Sequence, residues 1–192
     1  CHTTSTTTPP PSAAPPSCWP PWPSSSVWAS WLTSSSPCWS TGRPPANPDT
    51  HYTGTNGVSV YYDSSIWKVC QMTEDATLGT VLELATADSA DGAEDYQAVL
   101  LQRGTADTYP DFIDDSEKDL KQAYGIIKPR TANITVEGAE VTAVRCDIQT
   151  YYAVLATIHH TYDSGDVVYV SGLTKLASIN DIVNLVESVS LS

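Results

Sequence analysis

The chain has 192 residues, enough for one ordinary domain with a tail, and its charge is strongly unbalanced. Nine Lys and Arg residues stand against 22 Asp and Glu residues, so the formal net charge at pH 7 is −13. Binding to nucleic acid or to anionic lipid headgroups requires clustered cations, so this balance argues against both kinds of partner. An acidic surface favours solubility and is common on domains outside the cytoplasm.

The composition changes sharply near residue 50. Residues 1–50 hold five of the six tryptophans, twelve of the fourteen prolines and three of the five cysteines, and they contain no tyrosine, lysine or glutamate. No hydrophobic core could bury tryptophans that are scattered among prolines. We therefore predict a low-complexity leader over residues 1–50, disordered as printed, and one folded domain over residues 51–192.

The leader resembles a coding error more than a protein segment. Trp and Cys occur among prolines, as in Cys18-Trp19-Pro20. In a reading frame shifted by one base, GC-rich codons for Trp, Pro, Ser and Val encode Val, Ala, Leu and Gly, and they form an apolar run of about 15 to 20 residues, the length of a membrane span. We hypothesise that residues 1 to about 45 are a frameshifted translation of a membrane anchor.

Cys1 offers an alternative explanation of the same leader. It would be the lipidated first residue of a mature lipoprotein whose signal peptide has been removed. Under either hypothesis the folded domain lies on the outer side of the membrane. Its membrane contact is then made through the N-terminal anchor alone.

The folded domain begins with a stretch that predicts a hairpin. Val58 to Tyr62 alternates as a strand does, residues 63–65 interrupt the alternation, and Ile66 and Trp67 resume the apolar pattern up to residue 69. Trp67 is the only tryptophan after residue 50, so we expect it to hold this hairpin on the core in a structural role. Two further strands are predicted over residues 79–87 and 96–104.

Two helices and four more strands complete the predicted order. Residues 109–124 form a helix with Pro110 in its first turn and Gly125 as its C-cap, and residues 128–130 lead back to the sheet. Strands follow over residues 133–136, 139–150, 151–162 and 167–174, and Ser178 caps the last helix in a capping box with Asp181. Neighbouring hairpins imply a mainly antiparallel sheet with helices packed on it, an α+β fold of the α/β/α sandwich type in a single domain.

The opening stretch is similar to a known family. Gly-Val-Ser-Val-Tyr-Tyr, a short break and Ile-Trp-Lys-Val resemble the start of PsbP-like domains, named for an extrinsic subunit of photosystem II and sharing their fold with a small Ran-binding nuclear import factor. The similarity in element order extends over about residues 52–190. It implies an α/β sandwich, in a bacterial protein of the secreted, lipid-anchored or membrane-tethered type, without a catalytic site.

Two groups of residues are candidate metal ligands. His159 and His160 are adjacent on a predicted strand, so their side chains point to opposite faces and cannot chelate one metal together. An acidic loop contains carboxylates of the kind that calcium prefers, although it lacks the EF-hand pattern, and a solvated loop is the favoured interpretation. Its acidic residues are Asp88, Asp91, Glu94 and Asp95.

Cys70 and Cys146 are the two cysteines of the folded domain, and they allow either a disulfide or two buried free thiols. Asn133-Ile134-Thr135 matches a glycosylation sequon, but a strand is predicted there, which disfavours modification. No nucleophile elbow, zinc-protease motif, phosphate loop or dinucleotide fingerprint occurs in the sequence. We therefore expect no catalytic residue and no cofactor.

The leading functional hypothesis is a non-catalytic extracytoplasmic domain on a membrane tether, secreted or exposed at the outer face. Its partner would be an envelope protein or a small ligand, bound across the sheet or at its edge. One alternative is a cytosolic protein-interaction module like the Ran-binding relative. Another is a hydrolase or metal-dependent enzyme with an unrecognised site.

Overall fold

The computed structural model describes residues 48–75, 79–87, 93–161 and 165–191. The strands within these ranges are β1 (Thr50–Thr53), β2 (Val58–Tyr62), β3 (Lys68–Asp75), β4 (Gly79–Ala85), β5 (Gln97–Thr105), β6 (Ile127–Thr131), β7 (Ala139–Ile148), β8 (Tyr151–His160), β9 (Asp166–Thr174) and β10 (Ser190–Leu191). The helices are α1 (Phe112–Tyr124) and α2 (Asn180–Glu187). The leader hypothesis concerns residues that lie outside this description, up to residue 47.

The described strands form two sheets. Seven strands lie in the order β3-β4-β5-β9-β8-β7-β6, and three shorter ones lie in the order β1-β2-β10. All neighbouring strands are antiparallel. The predicted α+β class, a mainly antiparallel sheet with helices packed on it in a single domain, is confirmed. No helix in the described part of the chain is long and apolar enough to cross a membrane.

Alternate residues of β8 define two faces of the large sheet, because successive side chains of a strand point to opposite sides. The first face carries Val154, Ala156 and Ile158, and it packs against β2 and α2. The second face carries Ala153 and Leu155, and it packs against α1. Fully burying one such aliphatic side chain contributes about 1.5 to 3 kcal/mol. The two clusters together contain most of the buried hydrophobic residues in the described part of the chain.

Trp67 lies in the core on the first face, with 2% of its surface exposed, as the sequence predicts. The predicted hairpin is wrong, however, because β2 and β3 do not pair with each other. β2 belongs to the three-stranded sheet and β3 begins the seven-stranded one. The backbone N–H groups of Ile66 and Trp67 both donate to the carbonyl oxygen of Asp63, at 3.0 and 2.9 Å, and this tight turn redirects the chain between the two sheets.

The helix ends are partly as predicted. Gly125 follows α1 with a φ of +80°, a conformation that glycine adopts without strain, and its N–H donates to the carbonyl oxygen of Lys121 at 2.8 Å. The capping box of α2 is wrong. The Ser178 hydroxyl accepts from the N–H of Asn180 at 3.3 Å, while the Asp181 carboxylate accepts from Gln97 on β5 at 2.8 Å. A tertiary contact thus replaces the local one.

One strand lies earlier than the sequence predicts. β6 occupies residues 127–131, where a connection was expected, and residues 132–136 are irregular. Proline is tolerated in an edge strand when its nitrogen faces away from the partner. The N–H of Ala132 donates to the carbonyl oxygen of Ala143 at 3.0 Å, and hydrogen-bonded pairs alternate along an antiparallel ladder. The nitrogen of Pro129 therefore faces away from β7.

Candidate functional site

The predicted calcium loop falls partly outside the described residues. Asp88 and Asp91 are not described, and Glu94 and Asp95 are exposed in the turn that precedes β5. No group of three or more His, Cys, Asp or Glu side chains in the described ranges is arranged to hold a metal ion. Exposure of the two described carboxylates is compatible with a solvated loop.

The two histidines end β8, as predicted, on opposite faces of the sheet. His159 is exposed, and His160 is half-buried in register with Ala139. Adjacent positions on one strand cannot direct two imidazoles at a common ion. The structure thus supports the argument against shared chelation by this pair.

Cys146 is a free thiol on the second face, with 0% of its surface exposed. Its strand, β7, is separated from β3, the strand of Cys70, by four intervening strands. At about 4.8 Å per strand the two cysteine positions lie roughly 24 Å apart, far beyond the span of a disulfide. The strand order therefore argues against a disulfide between Cys70 and Cys146. Burial, followed by the nearby negative charge of Glu117, raises the pKa of the Cys146 thiol to about 12, which suppresses the reactive thiolate.

The best-defined polar cluster lies on the first face where β6, β7 and β8 meet, and we name it the arginine corner. It comprises Lys128, Arg130, Arg145, Asp147 and Tyr152. In the strand register Lys128 pairs with Asp147, Arg130 pairs with Arg145, and Asp147 pairs with Tyr152. Because directly paired residues share a face, the sheet itself brings these five side chains together.

One carboxylate serves two arginines in this corner. Arg145 Nε lies 2.7 Å from Asp147 Oδ1, and Arg130 Nη2 lies 3.0 Å from Asp147 Oδ2. Arg130 and Arg145 are cross-strand neighbours, an arrangement of like charges that opposes folding unless an anion offsets it. With Lys128 the corner holds three positive charges and one negative charge, a local excess of two positive charges on an acidic domain.

Arg145 is held more firmly than its neighbours. Its guanidinium lies over the Tyr152 ring at 4.4 Å from the ring centroid, and 23% of its side chain is exposed, against 66% for Arg130. The stacking and the bond from Nε fix the guanidinium plane. Among the described residues no acceptor is recorded for its Nη1 and Nη2 groups. Arg145 thus presents a rigid pair of donors with little rotamer entropy left to lose.

A different arrangement occurs elsewhere on the same face. Arg103 at the other end of β5 donates to Asp166 through both Nε and Nη2, in a one-to-one pair. Away from this face, on α1, the exposed Lys118 ammonium also has its own carboxylate, that of Asp115 at 2.8 Å. Among the described residues, charge is therefore balanced one to one at these pairs, whereas at the arginine corner one carboxylate serves two arginines.

A buried polar row continues from the corner toward α2. Tyr152 pairs with Thr174, and Thr174 pairs with Gln97, so the three residues share the first face on neighbouring strands. Gln97 is 1% exposed and donates to Asp181 in the first turn of α2. This bond fixes the start of α2 to the sheet, about two strand spacings or 10 Å from Tyr152.

None of the five corner residues stands out in the sequence, since Lys128 and Arg130 fall in a predicted connection. The charge pattern does indicate a basic region, because five of the eight basic residues of the folded domain lie between positions 118 and 145. That clustering does not show which of these side chains lie together. The register of β6 with β7 shows it.

The arrangement offers the chemistry of an anion-binding site. Within the corner the only carboxylate has both oxygens engaged by arginines, so it is poorly placed to act as a general base. The guanidinium groups and Lys128 offer positive charge and N–H donors, which recognise carboxylate or phosphate oxygens. No protein-family model matches the chain, and no curated protein is significantly similar to it.

Proposed function

We propose that this protein is a non-catalytic, extracytoplasmic domain on a membrane tether, of the PsbP-like type, and that it binds an anionic group of an envelope protein or small ligand at the arginine corner. The observation that carries the binding proposal is the sharing of one carboxylate by two cross-strand arginines. The composition of the leader and the acidity of the domain support the location.

The physical argument concerns charge compensation. Half-buried charges are normally paired one to one, as at Arg103 and Asp166, because unpaired charge costs free energy. At the corner the half-buried Arg145 shares Asp147 with the exposed Arg130, and the exposed Lys128 is a third cation beside the same carboxylate. An incoming anion would supply a further acceptor and reduce the repulsion among the three neighbouring cations.

A thermal-shift experiment tests the binding part. Phosphate, citrate and polyglutamate are added to the full chain at matched ionic strength, with chloride as the reference. We expect at least one of the three anions to raise Tm in the wild type, because a ligand that binds the folded state stabilises it by mass action.

Two arginine variants decide whether the shift comes from the corner. Arg145→Gln should abolish the anion-dependent rise in Tm, and Arg103→Gln, which removes an arginine from a balanced pair on the same face, should retain it. Equal shifts in both variants, or no shift with any of the three anions in the wild type, would contradict the proposal.

The location is tested with intact cells that produce the protein. A membrane-impermeant amine reagent should label Lys118 and Lys121, which are exposed on α1, without cell lysis. Labelling only after lysis would instead favour the cytosolic interaction module. Fractionation of the same cells reports whether the protein sediments with membranes.

A further inference from the structure

The arrangement of cations in the arginine corner carries information about the shape of its ligand. Lys128 and Arg130 are alternate residues of β6 and lie on the same face, so their backbone positions are about 7 Å apart along the strand. Arg145 stands beside Arg130 on the neighbouring strand. The positive charge therefore follows the strand direction instead of surrounding one point.

The two arginines contact different oxygens of Asp147, so the carboxylate lies between their guanidinium groups. An incoming anion consequently meets separate donors and not a single closed cradle. A ligand with several anionic groups in a row can satisfy all three cations, whereas one phosphate or carboxylate group satisfies only some of them.

We propose that the arginine corner binds an extended acidic segment of a protein partner, with carboxylates at alternating positions. This inference rests on the proposed function, which requires only that the corner bind an anion. Alternate side chains of an extended segment are also about 7 Å apart, which matches the spacing of Lys128 and Arg130. The remainder of the chain carries a net negative charge and repels such a segment, so the corner fixes where it binds.

The edge of the sheet decides how the segment is held. Pro129 lies between the two β6 cations and presents no N–H on the outer side of the strand, so a partner strand loses a ladder hydrogen bond there. The segment is therefore bound through its side chains, on the first face. Binding by side-chain charge alone depends steeply on salt.

Labelled peptides and the full chain test this inference by fluorescence anisotropy. One peptide alternates Glu and Ser over ten residues, and a second has the same composition with its glutamates in one block. We expect the alternating peptide to bind at least threefold more tightly than the block peptide. Its affinity should fall at least fivefold between 50 and 200 mM salt.

Variants assign the binding to the corner. Arg145→Gln and, as a second variant at a more exposed position, Arg130→Gln should each weaken the alternating peptide at least tenfold, and Arg103→Gln should leave it unchanged. Circular dichroism tests whether each variant is folded. If Arg145→Gln does not fold, Arg130→Gln decides the outcome.

The possible failures are distinguishable. If both peptides bind equally, or if inorganic phosphate displaces the alternating peptide at concentrations equal to those of the peptide itself, the extended-segment inference is overturned while the proposed anion binding stands. If the corner variants bind the alternating peptide as the wild type does, the inference is also overturned. If neither peptide, phosphate nor citrate binds, both proposals fail.

Discussion

The two faces of the large sheet bury different chemistry. The first face packs α2, β2 and Trp67 into a cluster of aliphatic and aromatic side chains. The second face packs α1, whose half-buried Glu117 lies near Cys146 and whose Asp119 is also half-buried. The first face thus holds the larger aliphatic cluster, with the arginine corner and the Arg103–Asp166 pair at its margins, whereas on the second face acidic groups of α1 lie beside the core. We expect the first to dominate overall stability and the second to dominate its pH dependence.

The largest expected effect lies on the first face. Trp67→Ala should lower the free energy of unfolding by about 3 to 5 kcal/mol, because a large buried ring is replaced by a cavity. Urea denaturation followed by circular dichroism measures the change. Tyr61→Ala, at an aromatic residue that is 50% exposed, is the matched control and should cost far less. Similar losses in the two variants would show that Trp67 is not a core residue.

An intermediate effect is expected at the thiol of the second face. A rise in pKa from 9.0 to about 12 lowers the thiolate fraction of Cys146 at pH 8 by roughly 1,000-fold. Alkylation of this cysteine, followed by peptide mass spectrometry, should therefore be negligible in the native protein and complete in denaturant. Native alkylation at the rate of a denatured control would refute the buried thiol.

The smallest effect concerns the carboxyl groups of α1. Burial, assisted by the charge of Asp114, raises the pKa of Glu117 above its ordinary value of 4.5. The folded state then binds this proton more strongly than the unfolded state does. The contribution of Glu117 to stability is therefore most favourable below pH 4.5 and is lost as the pH rises through the higher folded-state pKa.

Glu117→Gln removes this titration and should flatten the fall in stability between pH 4 and pH 7. The variant should exceed the wild type in stability at pH 7, with the difference shrinking toward pH 4. Urea titrations at several pH values measure the slope. Glu140→Gln, which removes an exposed carboxylate from β7, is the control, and the same slope in both variants would contradict the assignment.

Much of the fold could be predicted from local patterns. Alternating apolar residues indicate the strands, and the glycine after α1 marks its end because only a residue tolerant of positive φ fits there. The separation of β2 from β3 could not be predicted, since the turn at Asp63 has the same local signals whether the next strand returns to its neighbour or crosses to another sheet. That choice depends on the burial of Trp67 between sheets.

The candidate site could not be predicted from the sequence for a related reason. Its residues lie on three strands, and they meet only through the register of β6 with β7 and of β7 with β8. A strand prediction over residues 133–136, in place of the true strand over residues 127–131, leaves Lys128 and Arg130 without a position on the sheet. The sequon shows the same limit, because Asn133 is exposed in an irregular segment and not in the predicted strand.

Pro129 also bears on the behaviour of many copies held at high local concentration. A sheet that ends in a regular strand can recruit further strands from neighbouring molecules and so polymerise. At the β6 edge the outward nitrogen belongs to a proline ring, flanked by two cations that repel their counterparts on a second copy. Copies of this domain at high local concentration therefore gain little from pairing along the β6 edge.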